Sequence, residues 1–540
     1  MIGKVLALAL VLLAFPMPAE EPPAPAVPEA PAAVPLALAD ATARALARNN
    51  EIALERESFH IADASVLRAD GSYDPTFRLD ARYRNHTDPA NSLLSGAPAG
   101  EISPSAEGYW GAAGVGALLP TGGTVNVSAY GARDLTNNFL VLLSPGYTTS
   151  LGIDFRQPLL QNLSIDPARR AIRIAALDRE RGTASLRKTV SDVVAVVERA
   201  YWNLVAARGD VVVREASMRL AAEQREDTKS RIDVGTLPES DIAQPIAEYE
   251  RRRGDLYASQ ENMRRAELAL KLLILNDETD PLWNQTLEPV DKAETPIVRV
   301  DLAAALAAAE TRRPELADAR ALVAQSDVDV AFTKDRLKPQ LDLVAGYARR
   351  GLAGGLNPNA PATGFLGSPV VVPDALDGSF GRSLGTIAEG RFPDASVGLA
   401  LTVPVFNRTA KGDVAIAKAR KSQAEILLAR DKQRVAVDVR NAVLTLDTAA
   451  QRIDAAKAGR SAAETQLAAE KERYGVGLST NFFVLTRQND LASAVLAEIA
   501  ALTDYRKALT DYARAAGTLL DERCIEIQND TPAVRAEGGK

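Results

Sequence analysis

The sequence is poor in the residues from which most active sites are built. Among 540 residues it holds one cysteine, Cys524, and two histidines, His60 and His86. A lone thiol forbids a disulfide within the chain, and so few soft donors leave nothing from which to assemble a zinc or copper site. Two histidines in unrelated surroundings supply no general base with an orienting partner, so Ser/His/Asp and Cys/His catalysis are unsupported. The glycine-bearing stretches Gly114-Val115-Gly116 and Pro120-Thr121-Gly122-Gly123 lack the following Lys-Ser/Thr and helix of a phosphate loop, and read as hairpin backbone. No enzyme, cofactor or metal is expected. Basic excess is missing too: a net charge of -7 with no basic face excludes an ordinary nucleic-acid binder. Long apolar runs are also absent. Met1 to Lys4 followed by Val5 to Phe15 has the form of a signal segment, too short to span a bilayer. With no other apolar run of about 18 residues, the chain enters a membrane only as a β-barrel.

What the sequence does have is a very long helical pattern. From Ala410 to Thr480 there is no proline, and apolar residues recur at Leu428, Val435, Val439, Ala442, Leu446, Ala449, Ile453 and Ala456. Steps of four and three give the 3.5-residue period of a left-handed coiled coil, and roughly 65 residues make a rod on the order of 100 Å. The same spacing occurs at Leu186, Val190, Val193, Val197, Ala200, Leu204, Ala207 and Val211. Both rods end alike, at Arg231-Ile-Asp-Val234-Gly235-Thr236 and Arg473-Tyr474-Gly-Val476-Gly477-Leu478, where glycine supplies the positive φ that stops a helix. A second apolar helix follows each stop, so each copy is a helical hairpin with a tight glycine tip.

Ahead of each hairpin the period changes to two. Phe77, Leu79, Ala81 and Tyr83 alternate with Arg78, Asp80, Arg82 and Arg84, and Leu341, Leu343, Ala345 and Tyr347 with Gln340, Asp342, Val344 and Gly346. Returning strands at 150–156 and 396–403 put Asp154 and Arg156 on a polar face. Each strand has one greasy and one wet side. A Gly- and Pro-rich loop is expected over 349–393, and 109–133 reads as an additional hairpin that makes the count per chain four strands or six. Either number is below the eight or so of the smallest membrane barrels, so closure requires more than one copy.

The duplicated plan of helix, strand, strand and coiled-coil hairpin, with tips reading RxxVGT and RYxVGLS, resembles the TolC family of outer-membrane efflux proteins over about residues 36–522. The resemblance implies an α+β homotrimer, with a β-barrel in outer-membrane lipid and an α-helical tunnel through the periplasm. It implies docking to a periplasmic adaptor and an inner-membrane pump, for passive export. On that likeness Val234, Gly235, Thr236, Val476, Gly477 and Leu478 are adaptor-contact tips, and Asp241 and Tyr474 belong to a periplasmic entrance gate. Where some members place aspartates after the second tip, this chain has Phe483 and Thr486, so Phe483 is expected to make an apolar gate instead. Arg78, Asp80, Arg82, Arg84, Asp154, Arg156 and Asp342 are expected to face the lumen.

The expected organisation is a signal segment at 1–19, a Pro/Ala-rich linker at 20–35, a first repeat at 36–290 with its hairpin at 166–276, a second at 291–522 with its hairpin at 409–520, and a flexible tail at 523–540. A periplasmic coiled-coil scaffold without channel activity is the competing expectation.

Overall fold

The computed structural model describes residues 33–87, 89, 95–98, 100–363 and 369–527. The expected signal segment, most of the linker and the tail beyond 527 lie outside them. Within the end of the expected linker, β1 (Ala33–Leu36) is held in parallel pairing by a strand in the connector, β6 (Thr286–Pro289). Two short helices follow, α1 (Leu38–Arg48) and α2 (Asn50–Asp70). Asn49 separates them by accepting from the amides of Glu51 and Ile52, a side-chain cap that starts the second helix.

A six-stranded sheet comes next, ordered β2 (Thr76–Thr87), β3 (Ser105–Leu118), β4 (Thr124–Thr136), β5 (Leu143–Pro158), β7 (Gln340–Leu356) and β8 (Phe392–Thr402), each antiparallel to its neighbour. The additional hairpin therefore forms. Gly122 turns it at φ +79°, and a Cβ there would lie 2.7 Å from the carbonyl oxygen of Asn162, so both backbone angle and close approach require glycine. The loop expected over 349–393 is shorter than the sequence pattern suggests. β7 runs on to Leu356, its glycine-rich end held by pairing with β5, and α7 (Phe380–Ala388) occupies part of the connection. Neither shows the apolar alternation by which a half-buried strand is recognised.

Two long helices dominate the remainder, α3 (Pro167–Asp233, 67 residues) and α8 (Arg408–Gly475, 68 residues). At 1.5 Å per residue each is about 100 Å long. Asp166 caps α3 by accepting from the amide of Arg169 at 2.8 Å, with Pro167 at the first turn, where its missing N–H costs nothing. Helix α3 packs against α4 (Ala243–Ile274), and α8 against α9 (Asn481–Ala516). The seams are the residues picked out by period: Val190, Val193, Val197 and Leu204 in one rod, Val435, Val439, Leu446 and Ile453 in the other, all buried. Each such fully buried side chain contributes about 1.5–3 kcal/mol. Helices α5 (Leu302–Arg312) and α6 (Pro314–Asp335) lie on α8, and α6 also bridges to α3. The short α10 (Leu519–Glu522) follows α9.

The largest apolar cluster lies around mid-length of α3, where Tyr201, Trp202 and Leu204 meet α1, β1, β6 and the end of α4. The Tyr201 hydroxyl donates to the carboxylate of Asp291, 2.6 Å away, and lies 3.0 Å from the carbonyl of Leu36. Burial, then the Asp291 carboxylate, push its pKa well above the usual phenol value. The start of the expected flexible tail is docked: Arg523 donates to both oxygens of Glu198, which is fully buried in α3, and Ile525 and Ile527 pack on the cluster. An unpaired buried carboxylate is costly, so this ion pair fixes residues whose local composition reads as mobile.

Candidate conduit wall and entrance

Directly paired residues of antiparallel strands point to the same side, so the register assigns every sheet residue to a face. One row runs Arg78, Gly114, Ser128, Gly152, Ala348, Asp394; the next runs Asp80, Ala112, Tyr130, Ser150, Arg350, Phe392. Arg82, Arg84, Asp154, Arg156 and Asp342 fall on this same side. All seven expected polar-wall residues therefore share one face. On it, the Arg82 guanidinium lies 5.0 Å from the Trp110 ring centre, Arg350 pairs with Asp394 at 2.7 Å, and Arg156 donates to Asp342 at 2.9 Å. Asp342 is 1% exposed, so it belongs to an internal ion pair more than to a wetted wall.

The opposite face is apolar and largely uncovered, apart from the patch around Gly131 and Gly351 where α7 lies. Phe77, Leu79, Tyr83, Tyr109, Val115, Leu151, Val397, Leu399 and Leu401 all project from it and are exposed. Soluble proteins rarely leave a contiguous apolar surface of this size open to water. Among the described residues the sheet also ends in two edge strands, β2 and β8, whose outer sides pair with no further strand.

At the far end of the rods the two tips are near copies. Gly235 and Gly477 have φ +77° and +78°. The amide of Thr236 bonds to the carbonyl of Arg231 and that of Leu478 to the carbonyl of Arg473, both at 2.9 Å. With the Gly235–Ile232 and Gly477–Tyr474 bonds, this is the Schellman stop. A Cβ on either glycine would meet nothing within 4 Å, so backbone angle alone demands glycine there. Val234, Val476 and Leu478 stand 72–80% exposed at the tips, beside Phe482 and Phe483, whose ring centres are 5.6 Å apart.

The two residues expected at the gate, Asp241 and Tyr474, each have a neighbour close by. Tyr474 lies beneath the guanidinium of Arg231, 5.0 Å from ring centre, whereas Asp241 is exposed and bonds with Ser240 at 3.3 Å. No hydrogen bond joins Asp241 to Tyr474 among the described residues, because the acid is drawn into the turn that starts its own helix.

A stronger tie was missed by the motif comparison. Arg252 of α4 is 2% exposed and donates to the carbonyl of Ser217 at 2.9 Å, the side chain of Gln488 at 3.2 Å, the carbonyl of Leu485 at 3.3 Å and the carboxylate of Glu248 at 2.8 Å. One side chain thereby joins α3, α4 and α9, linking the two hairpins. Burial works to raise the Glu248 pKa, but hydrogen bonds from Arg251 and Arg252 outweigh it and hold the carboxyl below its usual range. The available signal was periodicity: Pro245, Arg252 and Ser259 are buried at seven-residue spacing, which puts a charge in the seam of a coiled coil.

A one-sided antiparallel sheet carried on two long helical hairpins is an architecture that this chain shares with solved outer-membrane channels. Solved structures agree on the fold. The outer-membrane channel CmeC of Campylobacter jejuni aligns at TM-score 0.61 and 18% identity, over 89% of this chain and 86% of that one. A membrane protein from Pseudomonas aeruginosa aligns at 0.64 and 16%, over 91% and 92%. The outer membrane protein VceC of Vibrio cholerae aligns at 0.60 and 14%, over 89% and 96%. The outer membrane efflux protein family is matched over residues 305–518, and with it the TolC-family resemblance read from the tips and the periodicity is borne out. No curated protein matches the sequence.

Proposed function

We propose that this protein is the outer-membrane channel of an export system, a passive duct completed by three copies. The observation that carries the reading is the exposed apolar face of a sheet with two open edges, continuous with rods about 100 Å long. In lipid an open edge leaves backbone groups unpaired at several kcal/mol each. Six strands per copy give eighteen in a trimer, wide enough for a water-filled barrel. Edge strand β2 of one copy then pairs with β8 of the next, placing the apolar residues on lipid and the Arg78, Arg82 and Arg84 face on the lumen.

The sequence correspondence between the α3/α4 and α8/α9 halves is read as an internal duplication, which lets three chains present six similar hairpins to the periplasm. The exposed Val234, Val476 and Leu478 tips suit docking to an adaptor hairpin, which links the duct to an inner-membrane pump. Phe482 and Phe483 narrow the entrance as an apolar ring, while Arg252 and the Arg231–Tyr474 contact hold the hairpins near it. Fractionation tests the localisation and assembly together. The protein should stay with outer membranes and migrate as a heat-dissociable trimer; a soluble periplasmic monomer would instead support the scaffold reading.

A further inference from the structure

The connection between β7 and β8 carries a helix that is built inside out. In α7, Ser383 and Thr386 are fully buried, while Phe380 and Leu384 are 42% and 49% exposed and Gly381 and Ala388 are exposed with them. Its polar side faces the sheet. The Ser383 hydroxyl is 2.8 Å from that of Thr149, and Thr386 accepts from the amide of Leu352 at 3.2 Å. The outward side is a wholly apolar stripe of Phe380, Gly381, Leu384 and Ala388. A helix facing water has the reverse arrangement.

Its seat explains the inversion. Phe380 reaches Gly131 and Tyr147, Ser383 and Ile387 close on Gly351, and Gly390 lies beside Arg349. Gly131, Thr149, Tyr147 and Gly351 all lie on the apolar side of the sheet. A Cβ on Gly351 would fall 2.1 Å from the carbonyl of Ser383, so α7 is pressed onto the strands. It touches β4 at Phe380 and β7 at Thr386, and so crosses the strands instead of following one.

The height of α7 is fixed by the strand beneath it. From Gln340 to Gly351 is eleven steps of β7, about 36 Å of strand at 3.3 Å each, or about 27 Å of depth at a 40° tilt. That is close to the apolar band, about 25 Å tall, of outer-membrane barrels. Tyr83, Tyr109 and Tyr147 lie in one pairing row on the apolar face, with Arg133 between the last two, and aromatic side chains of this kind flank the apolar band of membrane barrels. The chain leaving α7 is charged: Glu389 pairs with Arg382 at 2.9 Å and with Arg391, beside Arg349. Long arginine side chains at that level reach from apolar surroundings to lipid phosphates.

We propose that α7 is a lipid-seated helix, lying flat at the outer boundary of the bilayer with its Phe380–Leu384–Ala388 stripe covered by acyl chains of the surrounding lipid. The inference rests on the barrel reading above, since the stripe continues the face that the barrel would turn to lipid. The test uses the full chain with Cys524→Ser, reconstituted in vesicles of phosphatidylethanolamine and phosphatidylglycerol. Nitroxide labels are placed separately through Leu384→Cys on α7 and Leu399→Cys on the sheet, both exposed sites. Both labels are expected to collide with dissolved oxygen severalfold more often than with a water-soluble nickel chelate. A lipid-like result at 399 with nickel access at 384 would overturn the proposal, and protection at 384 from both reagents would show that a second copy or another protein covers the helix. Nickel access at 399 would instead sink the barrel reading, and the proposal with it.

Discussion

Arg252 joins α3, α4 and α9 through a single side chain. Its four bonds are made inside a seam where the guanidinium is almost fully buried. Removing it leaves the carbonyls of Ser217 and Leu485 and the Gln488 side chain without their donor, at about 1–3 kcal/mol for a buried group left unsatisfied, while Glu248 keeps Arg251. Arg252→Ala should therefore lower the thermal unfolding midpoint clearly, whereas Arg253→Ala, on the exposed side of the same helix, should leave it nearly unchanged. The partner carboxyl adds a pH dependence. Because the folded pKa of Glu248 is below its unfolded value, its contribution is present above the usual glutamate value and is lost as pH falls through the folded one. Glu248→Gln should flatten that acid limb in unfolding scans. The sequence hid this joint because an Arg-Arg-Arg run reads as a solvated face. Only the seven-residue spacing through Pro245 and Ser259 marks the middle arginine as inward.

Whole elements were legible where a single period governs them. The rods are visible at Leu446 and Leu204 because a 3.5-residue repeat holds over many turns, and β2 is visible at Phe77 to Arg84 because alternation is unbroken. Elements held by pairing or packing without such a pattern were not. β1 has only four residues, β7 ends in glycines, and α7 hides polar residues against a greasy sheet. The segment after α10 likewise depends on a distant acid. Arg523→Ala should leave Glu198 buried without its bidentate partner, at about 3–5 kcal/mol. The loss is read as a lowered unfolding midpoint, and it should exceed that from Arg312→Ala, whose ion pair with Asp521 is exposed and worth at most about 1 kcal/mol. At the tips, Leu478→Asp puts a charge on a side chain 80% exposed in the free chain, so folding should be unaffected. Adaptor binding, measured by calorimetry or cross-linking, should weaken by about 1.5–3 kcal/mol if that leucine is buried on docking.

For the whole molecule, the chain poses a problem that it does not solve alone: a half-greasy sheet with two open edges stands on rods that no globular core requires. On the proposed reading, assembly into a closed tube would remove both edges and cover the apolar face with lipid, and the polar face would line a conduit. Mutations on the two faces should then separate. Val397→Arg, paired with Ala345 and so near mid-depth of the strand, should impair membrane assembly by about 2–4 kcal/mol. Arg78→Gln should spare assembly and alter ion selectivity. The most direct measurement is the current through purified full-length protein added to a planar lipid bilayer. Discrete, long-lived conductance steps from a trimeric species, with reversal potentials shifted by Arg78→Gln, are the predicted result; a monomer that stays in water and passes no current would contradict the account.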